Sequence, residues 1–289
     1  MKFKQLAVAI SMAFAAFGAA ATSLDQLTGD IDIKLGGLTT EAKTSLGSNE
    51  TTWGIGNISE ITSFSNSGIW QQGSSDGHYL YYMIYGIADA FVKANGTAFD
   101  IYNVGATGGA ADGKIHLDVY RSTTYLETII NKKNAKPADR TGFNSYSLFA
   151  GMENYMQLTF STGLIIADNP LTSFDERLTT LKQKADAETL PTSGSGQFLA
   201  DVVGGTAMAS YNTNGQYAGH DFAGLFSLRP NYGATNNRNC TLADVTNATC
   251  FAGLINDPIV GNKIPEPGSL ALFGLALAGL AGVSRRKSK

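Results

Sequence analysis

Apolar and polar residues alternate with period two in several separated stretches of the chain. Asp30-Ile31-Asp32-Ile33-Lys34-Leu35 places Ile31, Ile33 and Leu35 on one face, and Lys114-Ile115-His116-Leu117-Asp118-Val119-Tyr120 does the same with Ile115, Leu117 and Val119. Successive side chains of an extended backbone point to opposite faces, so both read as half-buried strands. Met156, Leu158 and Phe160 mark another, and Phe198 to Val203 with Ala207 to Tyr211 mark a pair around Gly204-Gly205. Asn95-Gly96, set between Ala90-Phe91-Val92 and Phe99-Asp100-Ile101-Tyr102, predicts a hairpin with a type I′ turn, which needs positive φ at both central positions.

Two segments break the alternation. Thr124-Tyr125-Leu126-Glu127 fits a capping box, with Ile129 and Ile130 following on the face of Leu126 and Lys132 and Lys133 near the C-terminal end. Ser173-Phe174-Asp175-Glu176 is a second, with Phe174, Leu178 and Leu181 at helical spacing before Pro191. The stretches Gly105 to Gly113 and Ser193 to Gly196 read as loops. Many short strands, few helices and no fixed-period repeat predict a mainly β body, an antiparallel sandwich or jelly roll with one or two short helices.

The ends differ from this body. Lys2 and Lys4 precede an apolar stretch from Leu6 to Phe17 and then Gly18-Ala19-Ala20-Ala21, the order of a secretory signal peptide, so residues 1–21 are set apart and signal peptidase becomes the first expected partner. At the other end Ile264-Pro265-Glu266-Pro267-Gly268 leads into an uncharged run from Ser269 to Val283, then Ser284-Arg285-Arg286-Lys287. Fifteen residues span about 22 Å as a helix, short of the ~30 Å hydrocarbon core, so the run is a marginal membrane span. The basic flank would be held on the cytoplasmic side with the body outside.

Pro265-Glu266-Pro267, the Gly/Ala/Leu-rich run and the Arg285-Arg286 terminus together resemble the PEP-CTERM sorting signal of Gram-negative bacteria. The resemblance covers residues 264–289, and Ile264 stands where the pattern often has Val. It implies recognition by an exosortase in the inner membrane, processing near the tripeptide, and delivery to the cell surface or extracellular matrix. It also implies a link to exopolysaccharide and to biofilm or floc formation. A weaker resemblance, to the last strands of many such bodies, runs from about Ser193 through Asn214 and implies no activity. A membrane anchor that is never cut is the plainer alternative for the tail.

Removing both ends leaves 22–263 as the mature extracellular domain. Through Ile264 this body has 15 basic against 23 acidic residues, a net charge of −8, which argues against nucleic acid or anionic lipid as a partner. Charged residues make up only 16% of the chain, against roughly 25% for average soluble domains. Cys240 and Cys250, the only cysteines, are read as a disulfide in an exported chain.

Candidate chemistry is sparse. Gly73-Ser74-Ser75-Asp76-Gly77 matches the G-x-S-x-G nucleophile elbow as text, with His116 or His220 as partners of Ser75 in a secreted hydrolase. The polar turn is the better reading, because Gln71-Gln72 precede it and a strand-like tyrosine run, Tyr79 to Tyr85, follows. His78, His116 and His220 are not at metal-ligand spacing. Asp30 and Asp32 share a strand face as a candidate carboxylate pair. Asp112-Gly113 could wrap Ca²⁺ but lacks repeated acidic ligands. No cofactor is expected. Trp53 and Trp70, among Gly and Ser, are the candidate sugar-stacking rings, against a core role for them and for Tyr79, Tyr81, Tyr82 and Tyr85. In a bacterium with no such pathway, which the tail's resemblance implies, the five Asn-x-Ser/Thr acceptor patterns are loop composition only. The sequence thus predicts a non-enzymatic exported surface or matrix protein, with a carbohydrate-binding module or a hydrolase as alternatives.

Overall fold

A computed structural model describes residues 22–40, 49–74, 76–187, 193–231, 241–246 and 249–264. Eleven strands form one antiparallel sheet: β1 (Gly29–Thr40), β2 (Thr52–Ser63), β3 (Ile69–Gln71), β4 (Tyr79–Asn95), β5 (Ala98–Gly105), β6 (His116–Ser122), β7 (Glu153–Ser161), β8 (Leu181–Ala185), β9 (Gly194–Gly204), β10 (Phe222–Pro230) and β11 (Gly253–Lys263). The mainly β, antiparallel expectation therefore holds. In place of two separate sheets, however, the pairing runs β1-β2-β4-β6-β7-β9-β10-β11 and returns to β1. Eight strands close a ring.

Closure depends on two long strands that change neighbours along their length. β4 pairs with β6 over Tyr79 to Tyr85 and with β5 over Ile87 to Asn95. β9 pairs with β8 over Gly194 to Phe198 and with β7 over Leu199 to Gly204. The β6–β7 and β5–β8 bridges thus join the same two strands, one after the other. Edge backbone is scarce as a result, and the short β3 is partly covered where the Thr22 amide donates to the Ile69 carbonyl at 3.0 Å.

The alternation seen in the sequence sets the inner face. Ile31, Ile33 and Leu35 of β1 are buried, as are Leu117 and Val119 of β6 with the preceding Ile115, and Met156, Leu158 and Phe160 of β7. In β2 the register gains a residue between Ser59 and its neighbours, so Ile58 and Ile61, three apart, both point inward. Four rings close over glycines of neighbouring strands: Tyr82 over Gly56 of β2 and on to Gly37 of β1, Phe198 over Gly224, Phe222 over Gly261 and Phe226 over Gly196. Any Cβ there would collide with the ring. Packing fills the ring so well that the cavity between Leu35, Tyr82, Phe198 and Ile259 measures about 20 Å³, room for one water.

From Leu80 to Ala88, β4 is buried on both sides. Leu80, Tyr82 and Ile84 face the interior, while Tyr81, Met83 and Tyr85 face a second cluster with Trp53, Phe143, Tyr146, Phe149 and Phe251. The segment 123–152 supplies much of that outer layer as a strap. At its centre Arg140 forms a bidentate pair with Glu50, Nη1 to Oε2 at 2.6 Å and Nη2 to Oε1 at 3.1 Å, with side chains 2% and 0% exposed. The guanidinium also donates to the carbonyls of Gly142 (3.1 Å) and Phe143, and lies 4.7 Å over Trp53. Glu50 Oε1 in turn accepts the Gly86 amide at 2.7 Å. Gly86, at φ 79°, is the bend at which β4 leaves β6 for β5, and a side chain there would meet the Lys114 carbonyl.

Several local expectations are corrected. The Asn95-Gly96 hairpin forms with Asn95 opposite Ala98, but only Gly96 of the two loop residues has positive φ (66°), so the turn is not type I′. The first helix is one turn, Glu127–Ile130, without a side-chain cap. The second reduces to a 3-10 turn, Glu176–Leu178, capped by Asp175. Leu181 then opens β8, since the gap between β5 and β9 offers it backbone partners on both sides, Asn103 and Phe198. Ala207 to Tyr211 is not a strand either: Met208–Tyr211 is a short helix packed against β9 and β11. The signal peptide and the tail beyond Ile264 lie outside the described residues, and no helix among those described is long and apolar enough to cross a membrane.

Replacing Arg140 by Met strands a buried carboxylate and is expected to cost roughly 3–5 kcal/mol in denaturant unfolding. The double replacement Glu50→Gln with Arg140→Met leaves no buried charge and should lose less than the single one. An equal or larger loss in the double variant would show that the pair's charges are not the issue.

Candidate functional site

The structure disperses most of the chemistry anticipated from sequence. Trp53 and Trp70, considered as exposed sugar platforms, are 1% and 0% exposed, which corrects that expectation. Trp53 packs under Arg140 and edge-on to Phe251, and Trp70 Nε1 donates to Asp76 Oδ1 at 3.1 Å. Ser75 lies outside the described residues, as do Cys240, Pro265, Glu266, Pro267, Arg285 and Arg286. Around Ser75 the geometry is a turn between β3 and β4, with Gly73 and Gly77 at positive φ and Asp76 accepting the amides of His78 (3.0 Å) and Leu24 (3.3 Å). A nucleophile elbow needs a strand followed by a helix.

The histidines are already engaged. His116 Nε2 meets Asp112 Oδ1 at 2.9 Å while its ring stacks on Tyr85 at 4.9 Å. Asp112, the calcium candidate, is thereby committed to His116 and to the Lys114 amide. His220 Nδ1 meets Asp201 Oδ2 at 2.9 Å, and Ser161 donates to that same oxygen at 2.5 Å. The serine therefore sits on the acid, not on the free nitrogen of the histidine, and the three do not form a relay. Asp30 is exposed and accepts from Asn262, whereas Asp32 is half-buried beside the Lys34–Glu60 ion pair at 2.5 Å. Burial is the largest influence on Asp32 and raises its pKa. Among the described residues no group of three His, Cys, Asp or Glu is placed to hold a metal.

Asp118 is a buried titratable group that the alternation hides, because it alternates with Leu117 and Val119 as an outward residue. The strap covers that outer face, leaving Asp118 2% exposed and hydrogen-bonded by Tyr85 Oη at 3.0 Å. Burial pushes its carboxyl above the usual range, with Tyr85 and His116 offsetting part of the rise. The same burial pushes the Tyr85 and Tyr120 phenols up.

An open groove of about 440 Å³ lies at the far end of β6 and β7. Arg121 and Glu153, directly opposite each other in the ladder, form its floor through two bonds, Nε to Oε2 at 2.7 Å and Nη2 to Oε1 at 3.0 Å. Thr206 Oγ1 donates to Glu153 at 2.5 Å, and Arg121 lies 5.2 Å over Tyr155. The Arg121 hydrogen bonds hold the Glu153 carboxyl below its ordinary pKa. The walls set His78, Ser122 and Thr124 beside the apolar Leu126, Leu148 and Met152. Tyr125, 50% exposed, is not among the lining residues and packs edge-on to Tyr79 at 5.6 Å. The lining offers donors, acceptors and apolar side chains, and pairs no nucleophile with a base.

The polypeptide passes from the ring into its terminal segment without a spacer. β11 ends at Lys263, whose ammonium is buried and donates to the carbonyls of Leu27 (3.1 Å) and Asp25 (3.4 Å), while the Ile264 amide donates to Ser210 O at 2.9 Å. Residues 263–287 match the family model of the PEP-CTERM protein-sorting motif. The match defines the class: an exported protein carrying a C-terminal sorting signal read by an exosortase. In particular, the chain carries the PEP-CTERM protein-sorting motif, and the matched stretch starts on the last residue of the last strand. No curated protein and no solved structure matches the chain.

A carboxyl whose folded-state pKa is raised favours folding more as it becomes protonated, so stability rises as pH falls through that value toward the unfolded one of about 3.9. Asp118→Asn cannot ionise. It is expected to be more stable than the parent at pH 7, with the difference shrinking near pH 4 in denaturant titrations. A difference that does not change with pH would contradict the assigned burial cost.

Proposed function

We propose that the body is a non-enzymatic surface or extracellular-matrix protein, delivered by exosortase processing at the inner membrane and associated with exopolysaccharide in a biofilm or floc. The observation that carries this reading is the sorting motif at residues 263–287. Its junction with β11 supports it, because the body reaches the motif fully built, with Lys263 and Ile264 both hydrogen-bonded to the fold. The body's net charge of −8 suits a protein that stays soluble beside a cell surface. The proposal includes signal peptidase removal of residues 1–21, transient membrane residence of the tail, and a Cys240–Cys250 disulfide.

A carbohydrate-binding role is the second reading, favoured by the groove over Arg121 and Glu153. The hydrolase alternative draws no support from the engaged histidines.

Replacing Pro265-Glu266-Pro267 by alanines in the producing bacterium should leave full-length protein in the membrane fraction, while the parent yields a shorter form outside it. Identical processing of the two would overturn the sorting mechanism. Thiol counting on the exported form under denaturing, non-reducing conditions should find no free cysteine, and two free thiols would remove the disulfide.

A further inference from the structure

We propose that the end of the ring from which the chain leaves at Ile264 is a membrane-docking face, seated until processing on the zwitterionic lipid surface around the tail. Resting on the reading of the tail as a membrane-resident signal, it assigns the part of the body that meets the lipid. The exit is rigid: the Lys263 ammonium is fixed to the carbonyls of Leu27 and Asp25, and the Ile264 amide to that of Ser210. The uncharged run of the tail starts at Ser269, and the steps from Ile264 to Ser269 bridge at most about 17 Å even when fully extended. β11, with 11 residues, is itself roughly 36 Å long. The tether is therefore about half the length of the strand it leaves, so the surfaces around the exit are the ones held against the bilayer.

Exposed apolar side chains gather at this end. Ile264 is 44% exposed, and Met208, 37% exposed, opens the short helix whose Ser210 carbonyl holds the Ile264 amide. Tyr217, 63% exposed, lies in the loop between that helix and β10. A side chain on Gly215 of the same loop would touch Asn262, and β10 begins at Phe222 opposite Gly261. Phe64, 65% exposed, has its amide on the Asp30 carbonyl at 2.9 Å, and Asp30 is the ladder partner of Asn262. Side chains from distant parts of the sequence are thus set around residues 261–264. Apolar residues scattered singly over a surface need no explanation, but a group of them at the point where an apolar tail departs does. Aromatic and aliphatic side chains at headgroup level are what hold an interfacial surface to a bilayer. Charge then selects the kind of lipid. Lys263 keeps its ammonium inside the fold while Asp25 and Asp30 stand exposed beside it, so the face lacks the Lys/Arg cluster that binds anionic headgroups.

The test uses the full chain, purified in detergent and reconstituted through its tail into phosphatidylcholine vesicles with and without bromine on the acyl chains. Bromine quenches tryptophan fluorescence only at close range, and the buried Trp53 and Trp70 give a common background. Phe64→Trp and Tyr217→Trp are each expected to lose at least a quarter more emission to the brominated lipid than the parent does. Leu178→Trp, at a 55% exposed site in the turn before β8, should lose no more than the parent, because β8 pairs with the half of β9 away from this end. Replacing half of the lipid by phosphatidylglycerol should not raise the extra quenching. Melting temperatures within a degree or two of the parent would show that the variants are folded. Extra quenching missing at either site, equal at all three sites, or larger in the anionic vesicles would each overturn the docking face. Flotation of the same samples separates the two readings. A parent chain that does not float with the vesicles brings down the membrane-resident tail and the docking face together, whereas flotation without the extra quenching overturns the docking face alone.

Discussion

The carboxylate of Glu50 is held from two directions, by the Gly86 amide at the bend of β4 and by the Arg140 guanidinium of the strap. That double hold makes the branching of the sheet possible. A strand that changes partners must break its ladder somewhere, and the amide exposed at the break is buried. Unpaired, it would cost on the order of 1–3 kcal/mol. Glu50 satisfies it, and the charge this brings indoors is met by Arg140 with its remaining donors placed on two carbonyls. Such a pair adds little net stability compared with apolar packing, yet it fixes geometry, because only one arrangement of strap, bend and carboxylate satisfies every group.

From that point the rest of the architecture follows. With β4 bent, its two halves reach β6 and β5, and through them β7 and β8, to meet the two halves of β9. The enclosed ring is narrow, and it packs only because aromatic rings fold down onto glycines across the strands. The same closure brings the ends of β6 and β7 together with the turn before β4, which positions Arg121, Glu153 and His78 around one groove.

Strands with one wet face were legible in the sequence. Ile31, Ile33 and Leu35, and likewise Met156, Leu158 and Phe160, alternate because a single face is buried, and the structure buries those residues. β4 was seen only in fragments, Tyr79 to Tyr85 and Ala90 to Val92, because from Leu80 to Ala88 both its faces are covered and no alternation survives, while beyond Ala88 the strand comes out to the surface. The helix read into Phe174, Leu178 and Leu181 failed for another reason: spacing of apolar residues cannot reveal a vacant slot between β5 and β9, and in the structure Leu178 is exposed while Leu181 is buried. Glu50 and Arg140 lie 90 residues apart, and the Arg121–Glu153 floor joins residues 32 apart, so neither leaves a local mark. The tryptophans were misplaced by their neighbours. Glycines beside Trp53 suggested exposure, but in this fold glycine is what lets an adjacent ring lie inside.

The way the chain leaves the ring has a mechanical meaning. β11 lies between β1 and β10, bonded along most of its length on both sides, and its final residue is clamped to the N-terminal turn through Lys263. Tension drawn along the strand from residue 264 would therefore load two ladders in shear, with many hydrogen bonds resisting together. A terminal helix or an edge strand in that position would peel, one bond at a time. Whatever the tail is attached to, the body is built to be pulled from that end without unravelling.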